Sequence, residues 1–458
     1  MRKSYPSLAL LVALVSSGLA AAQPQQAPPP GAPTGSDANR GLPENQQAPS
    51  VVGFWYSHVE SDNLSRTPAE IEGSYDGLGL LLGLERASTR FEASVNADLE
   101  YREYSIDELD NETVGTLNAA AEIDVIQDRF SWTFADDFGQ GITDPFGGIG
   151  PSNRESINTL STGPRVALPL GARMNLEMRG TYAERRFDES NTVDSDSVQT
   201  EFALYRQAST TARFGIVAGS NDVEYVDVLA PEYQIDRFAL RYEKLLATGR
   251  VQADLGTNEI SSAGLTEDEP FYNFLWTRDL ATRSELSIRA TRELTDAGGV
   301  LTGLVAPGPE GANFTDVLVT PNPLQQRRLG AAYVLTMSRT VVSAELTSWE
   351  SEYIGNSLYD NDATTLHVSL VRTISPRLDF GIAYDDINRS FTNPQPDSDD
   401  SWVAVWVDRN FGRRMSLGLS ISSYERGGAE EYDERRYEIR FGYSPTDSGA
   451  ATMASVGR

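Results

Sequence analysis

Apolar and polar residues alternate along most of this chain with a period of two. Between Arg90 and Arg102 the odd positions are Phe91, Ala93, Val95, Ala97, Leu99 and Tyr101, and the even positions between them are polar or charged. Successive side chains of a strand point to opposite faces, so such a segment is predicted to be a strand with one apolar and one hydrophilic face. The pattern recurs. Met174, Leu176 and Met178 alternate with Asn175, Glu177 and Arg179; Leu286, Ile288 and Ala290 alternate with Ser287, Arg289 and Thr291. Phe202 and Leu204, then Phe214, Ile216 and Ala218, then Leu378 to Tyr384, Met415 to Ile421 and Tyr437 to Tyr443 repeat it.

A soluble β-sandwich would share this alternation, so the connections decide between the two architectures. About 20 segments can be placed, each near the length of roughly 10 residues that a tilted membrane strand requires. Short links (Ala87-Ser88, Gln127-Asp128, 170–172, Ala208-Ser209, 410–413) alternate with long ones (103–113, 138–156, 187–197, 261–269, 295–325, 387–400, 425–434). Short periplasmic turns and long outer loops give a barrel this rhythm, whereas a sandwich has no reason to adopt it. The expectation is an all-β chain: a single antiparallel up-and-down transmembrane β-barrel of about 20 strands (range about 16–20). Aromatic residues on apolar faces and near strand ends, among them Trp132, Phe134, Tyr272, Phe274, Trp276, Trp402 and Trp406, are expected in girdles at the lipid interfaces.

The ends of the chain support export. Arg2 and Lys3 precede an apolar run from Leu8 to Val15, and small residues end in Ala20-Ala21-Ala22. This is the layout of a secretory signal peptide, expected at 1–22. Residues 23–50 are rich in Pro and Gln and are expected to form a flexible periplasmic tail. The barrel is then expected over 51–443, followed by a small-residue tail over 444–458. No later stretch approaches the roughly 18 consecutive apolar residues of a membrane helix. A closed barrel is the other architecture that satisfies every backbone hydrogen bond in lipid. The expected location is the outer membrane of a Gram-negative bacterium.

The chain has no cysteine, which removes disulfides, thiolate metal sites and cysteine nucleophiles. Its net charge of -28 argues against nucleic acid as a partner. Acidic residues gather in the long connections, for example Glu267, Asp268 and Glu269, or Glu430, Glu431, Asp433 and Glu434. They lack the spacing of a defined calcium loop, and are read as solvated outer loops, with loose Ca²⁺ or Mg²⁺ bridging to lipopolysaccharide. No resident cofactor is expected.

The most specific text lies within Asn118–Pro164: DRFSWTFADDFGQGITDPFGGIGPSNRESINTLSTGP. Through Trp132, Asp137, Phe138, Gly139, Gln140, Asp144, Pro145, Phe146, Pro151, Asn153, Arg154, Asn158, Gly163 and Pro164, it resembles the outer-membrane barrels found with exosortase and exopolysaccharide gene clusters, the PEP-CTERM-system-associated barrels. The opening strand with its loop, Ser57 to Leu64, is similar to that family too. The resemblance implies a role in exporting or organising an extracellular polysaccharide, and no catalytic activity. The small-residue tail after Tyr443 departs from barrels that end on an aromatic residue read by the barrel-assembly machinery, itself an expected partner.

By alternation Arg90, Glu92, Asp98, Glu100, Arg102, Arg179, Arg289 and His367 should line the lumen. Such a mixture of signs suits a hydrated, partly ion-paired interior. His367 shares its expected face with Thr365 and Ser369, but no G-x-S-x-G, Walker or H-E-x-x-H pattern accompanies it, so a solvated lumen histidine is preferred to a hydrolase site. The Gly-rich connection 138–156 and the longest one, 295–325, are the candidate constrictions. A barrel this wide leaves an aqueous channel unless it is plugged, and the 28 residues of 23–50 are too few for a plug domain. The chain therefore reads as a channel or export pore for hydrophilic solute. The alternative is a non-conducting scaffold that docks polysaccharide or export proteins.

Overall fold

The computed structural model describes residues 51–144, 146–147, 150–188, 193–226, 232–262, 265–296, 318–392, 396–428 and 430–445. The expected signal peptide, the tail 23–50, Pro145 and the tail from 446 onward lie outside them. The described chain is built from strands β1 (Val51–Ser61), β2 (Gly73–Ala87), β3 (Phe91–Tyr104), β4 (Glu112–Ile126) and β5 (Phe130–Ile142). After a short 3-10 turn follow β6 (Arg154–Pro169), β7 (Met174–Phe187), β8 (Ser195–Ser209), β9 (Ala212–Tyr225) and β10 (Tyr233–Leu246). Then come β11 (Gly249–Ser262), β12 (Leu265–Ala281), β13 (Ser284–Thr295), β14 (Leu324–Thr336) and β15 (Thr340–Tyr353). The last are β16 (Asn361–Ser375), β17 (Leu378–Phe391), β18 (Ser398–Phe411), β19 (Met415–Gly428) and β20 (Tyr432–Tyr443).

All 20 strands form one sheet in which each pairs antiparallel with its sequence neighbours. β1 and β20 close the ring from Phe54↔Tyr443 to Ser61↔Arg436. Closure removes the free edges that could not survive in lipid. One rim carries the tight turns, such as 210–211 and 247–248; the other carries the longer connections. Strand number, pairing and the two unlike rims all follow the sequence expectation.

The strands run further than the sequence suggested. They measure 11 to 17 residues, whereas a hydrophobic band needs about 9–11. The surplus lies toward the loop rim and absorbs much of what read as loop. Glu267, Asp268 and Glu269 belong to β12, Asp399 and Asp400 to β18, and Asp433 and Glu434 to β20. Their alternation also sorts them by face. Asp400 and Glu434 point inward and are buried, while Asp399 and Asp433 point outward and are exposed.

Outward faces carry the large apolar residues, including Leu78, Leu255, Leu329, Ile421 and Phe441, each more than half exposed on the lipid-facing wall. Trp132 and Phe134 lie there as expected. Trp402 and Trp406 do not: they point inward and are 6% and 5% exposed. β18 is apolar on both faces, with Val403, Val405 and Val407 outside, so alternation alone could not orient it. The inner side of the neighbouring strand decides. A Cβ on Gly381 would lie 2.1 Å from the Trp406 ring, so the indole lies flat over that glycine. Trp55 covers Gly79 in the same way, at 1.8 Å.

Candidate functional site

The lumen has two zones. Toward the turn rim, charged side chains alternate in sign around the wall. Arg165 reaches Glu122 at 3.7 Å and Glu177 at 3.5 Å; Arg213 reaches Glu177 at 3.8 Å and Glu243 at 2.7 Å. This Glu–Arg–Glu–Arg–Glu ladder runs from β4 to β10, with each side chain 12–26% exposed. Such hydrated pairs attract weakly and leave polar groups free to meet a solute. The expected lumen residues Glu92, Asp98, Arg179 and Arg289 point inward with part of their surface open, while Arg90 sits in the turn just before β3.

Toward the loop rim the same residue types are buried. Glu100 accepts from Trp55 Nε1 at 3.3 Å, Ser57 Oγ at 2.6 Å and Arg102 Nε at 2.9 Å, and the Arg102 guanidinium lies over the Tyr75 ring. Asp400 pairs with Arg389 and with Arg426, and accepts from Tyr424 Oη at 2.5 Å. His367 is inward, as expected, with Nδ1 2.7 Å from Asp385. Its neighbours Ser343 and Ser369 bond each other at 2.5 Å.

Three connections fold over this end. In 62–72, Arg66 sits 3% exposed with Nε 2.7 Å from Glu434 Oε2, and its guanidinium lies 4.9 Å from the Tyr424 ring. Burial works against the Arg66 charge, yet the Glu434 carboxylate outweighs it and holds the guanidinium protonated beyond its ordinary range. In 143–153, Asn153 gathers the base of the loop. Its Oδ1 accepts from Thr143 N and Asp144 N, and its Nδ2 donates to Asp144 O. Asp144 in turn accepts from Phe146 N at 3.0 Å. The Phe146 ring reaches the far side of the ring of strands, 4.9 Å from Phe391, and Arg426 donates to its carbonyl at 3.3 Å. Gly150 passes so close to the loop 62–72 that a Cβ would lie 2.1 Å from Ser65 O. The described ends of the long connection after β13 also cross. Asp296 is held by Arg185 at 2.5 Å and Tyr233 at 2.6 Å, and Val319 N donates to Ile142 O at 2.8 Å. The described parts of both connections read as constrictions therefore lie at the loop rim, joined there by a third.

The remaining motif residues are split by the wall rather than gathered in a loop. Asp137 and Gly139 lie on the inward face of β5. Phe138 faces outward and packs against a cluster of Val95, Ala97, Leu117 and Ala119. Gln140 bridges to β4, accepting from Gly115 N at 3.1 Å and donating to Thr113 O at 3.2 Å. Arg154 reaches Glu112 at 2.8 Å. Sequence reading did not single out Glu122, Arg165, Arg213 and Glu243, nor the fasteners Arg66 and Arg426, and it took Asp400 and Glu434 for solvated loop acids, whereas both are buried. Alternation marks most of them as inward, but only register shows that their charges meet. No group of three or more His, Asp or Glu side chains poised for a metal occurs among the described residues.

A closed antiparallel ring with an apolar belt outside and charged residues within defines a transmembrane β-barrel of the outer-membrane type. No protein-family model matches the chain, and comparison with curated proteins finds no relative. Among solved structures, it is similar to the FrpB iron transporter from Neisseria meningitidis, at 8% identity and TM-score 0.46 over 89% of this chain and 83% of that one. It is also similar to OccK1 (OpdK) of Pseudomonas aeruginosa, at 10% identity and TM-score 0.37 over 86% and 98%. The siderophore receptor PirA from Pseudomonas aeruginosa gives 9% identity and TM-score 0.42 over 87% and 81%. What those proteins carry is theirs alone.

Proposed function

We propose that this protein is a channel of the Gram-negative outer membrane that passes hydrophilic solute, in association with exopolysaccharide export. The observation that carries the reading is the partly exposed charge ladder Glu122–Arg165–Glu177–Arg213–Glu243, a row of charges open to the lumen from β4 to β10 inside a wall coated with apolar residues. The connections across the mouth narrow the passage. The glycan assignment rests on the resemblance carried by Asp137 to Arg154. Lipopolysaccharide, loosely bridged by Ca²⁺ or Mg²⁺ at the exposed outward acids, and the barrel-assembly machinery complete the proposed surroundings. In planar bilayers the purified protein is expected to conduct in steps, and replacing 144–152 by a short Gly-Ser link should enlarge each step. A protein that never conducts, with or without that loop, would overturn the channel.

The covered mouth favours a second reading, a scaffold whose loops dock polysaccharide-export partners. It requires that the loop replacement abolish surface polysaccharide while conductance plays no part. No catalytic role is proposed for His367, whose Nδ1 is engaged by Asp385.

A further inference from the structure

The wall is not equally sealed all round. β4 continues to Glu112 and β5 to Ile142, yet their ladder stops at Leu117↔Phe138. Beyond it, 112–116 and 139–142 face each other without backbone pairing. Lipid does not tolerate unpaired peptide groups. Here a side chain stands in for the missing ladder: the Gln140 carboxamide, with one acceptor and one donor group like a peptide, takes Gly115 N and Thr113 O. Arg154 closes over it to Glu112, and Val319 caps the top of β5 at Ile142. β12 also outruns β13, beyond Tyr272↔Arg292, with Pro270, Asp268 and Thr266 outward, but there an ion pair, Arg292 to Glu269 at 2.9 Å, spans the two strands.

Two further observations single out the β4–β5 seam. The outward face beside it is polar, whereas the outward mid-strand positions of many other strands are apolar. Asp136, midway along β5, is 3% exposed and accepts from Asn158 Nδ2 at 3.0 Å. The corresponding outward positions of β10, β11, β14, β15, β18 and β19 are Leu240, Leu255, Leu329, Leu346, Val405 and Ile421. An ionisable residue in the lipid-facing belt is costly and marks function by default. On the inner side, a Cβ on Gly139 would meet nothing within 4 Å, so open space adjoins the gap.

We infer that the β4–β5 seam is a lateral portal between the lumen and the outer leaflet, with Gln140 as its latch. A side-chain latch can swing aside without unzipping a strand pair, whereas a backbone ladder cannot. The portal lies near the loop end of the belt, at the level of lipid head groups. Its lining, Asp136, Asn158 and Gln140 outside with Asp137 and Gly139 within, offers hydrogen bonds and negative charge. It therefore suits the uncharged, hydroxyl-rich head of a glycolipid whose acyl chains stay in the membrane, and it disfavours anionic heads. The inference deepens the channel reading, since it needs the lumen as the compartment the head enters.

The absence of native cysteine makes the test clean. Gly139→Cys and, as a control behind the continuous β16–β17 ladder, Thr365→Cys are reconstituted in vesicles. The vesicles contain a diacyl glycolipid whose sugar carries a maleimide. Coupling is followed by intact mass, and folding by the gel mobility of the unheated barrel. Gly139→Cys is expected to couple roughly tenfold faster than Thr365→Cys, and adding Gln140→Ala should raise its rate several-fold further. A maleimide on an anionic phosphatidylethanolamine head should couple slowly until Asp136→Asn is introduced. Equal rates at positions 139 and 365 overturn the portal, and this comparison stands even where Gln140→Ala fails to fold. Conductance of the same preparations separates the two readings. A conducting barrel without preferential coupling sinks the portal alone; coupling in a barrel that never conducts sinks the passage through the lumen.

Discussion

Arginine and carboxylate meet inside both ends of this barrel, with opposite consequences. At the loop end, Arg66, Arg426, Asp400 and Glu434 are 1–3% exposed and hold connections in place. At the turn end, Glu122, Arg165, Glu177, Arg213 and Glu243 meet in the same alternating order but remain 12–26% exposed. Chemistry does not separate the two sets; water does. A buried charge that loses its partner is left uncompensated, so each buried pair acts as a fastener. A hydrated pair loses little when broken, and its charges remain available to whatever passes. The aromatic residues sharpen the contrast. Tyr424 and Tyr432 stack at 5.7 Å, and Trp55 and Trp406 cover glycines, all on the wall from β17 round to β3. That wall is packed down toward its middle, and the ladder lies on the opposite side.

The largest expected effect is at Glu434. Glu434→Ala leaves Arg66 and Arg436 facing each other in a buried site, and should lower stability by about 3–5 kcal/mol. Urea unfolding in lipid vesicles measures this, and a loss under about 1 kcal/mol would remove the distinction drawn here. Next, Trp406→Ala uncovers Gly381 and should cost about 3 kcal/mol in the same assay. A smaller cost would mean the packed wall is softer than its burial implies. Phe146→Ala breaks two aromatic contacts, with Phe391 and Tyr359, for about 0.5–1.5 kcal/mol each. Its clearer readout is open-channel noise and step size, both expected to rise as the loop loosens. Last, Arg213→Ala should change stability by less than about 1 kcal/mol. It should nevertheless shift the zero-current potential toward cation preference, because Glu177 and Glu243 then face the lumen without it. An unchanged potential would show that the ladder is not on the path of the ions.

The features read correctly from sequence and those missed divide along one line. Glu92, Glu100, Arg102, Arg179 and His367 were placed on the lumen face because side-chain direction in a strand is local and has a period of two. The same rule failed at Trp402 and Trp406, where both faces of β18 are apolar and the facing Gly381 chose the side. It also misjudged where strands end. Glu267 to Glu269 and Glu434 are polar enough to read as loop, yet they extend strands beyond the lipid, where polar residues on both faces are acceptable. The motif from Asp137 to Arg154 read as one loop, but its parts serve three places: the inner wall, the seam with β4 and the cover over the mouth.

By itself the sequence determined the class of molecule: a strand count near 20, one rim of turns and one of loops, an apolar outside and a charged inside. Period and composition are properties of neighbouring residues, and they suffice for that. Only the tertiary structure decided which charges meet, which are dry, where the connections fold and where the ladder between β4 and β5 stops. Those depend on register around the closed ring, which brings together residues such as Arg66 and Glu434 from opposite ends of the chain. No local pattern carries that information, because closure is a property of the whole sheet.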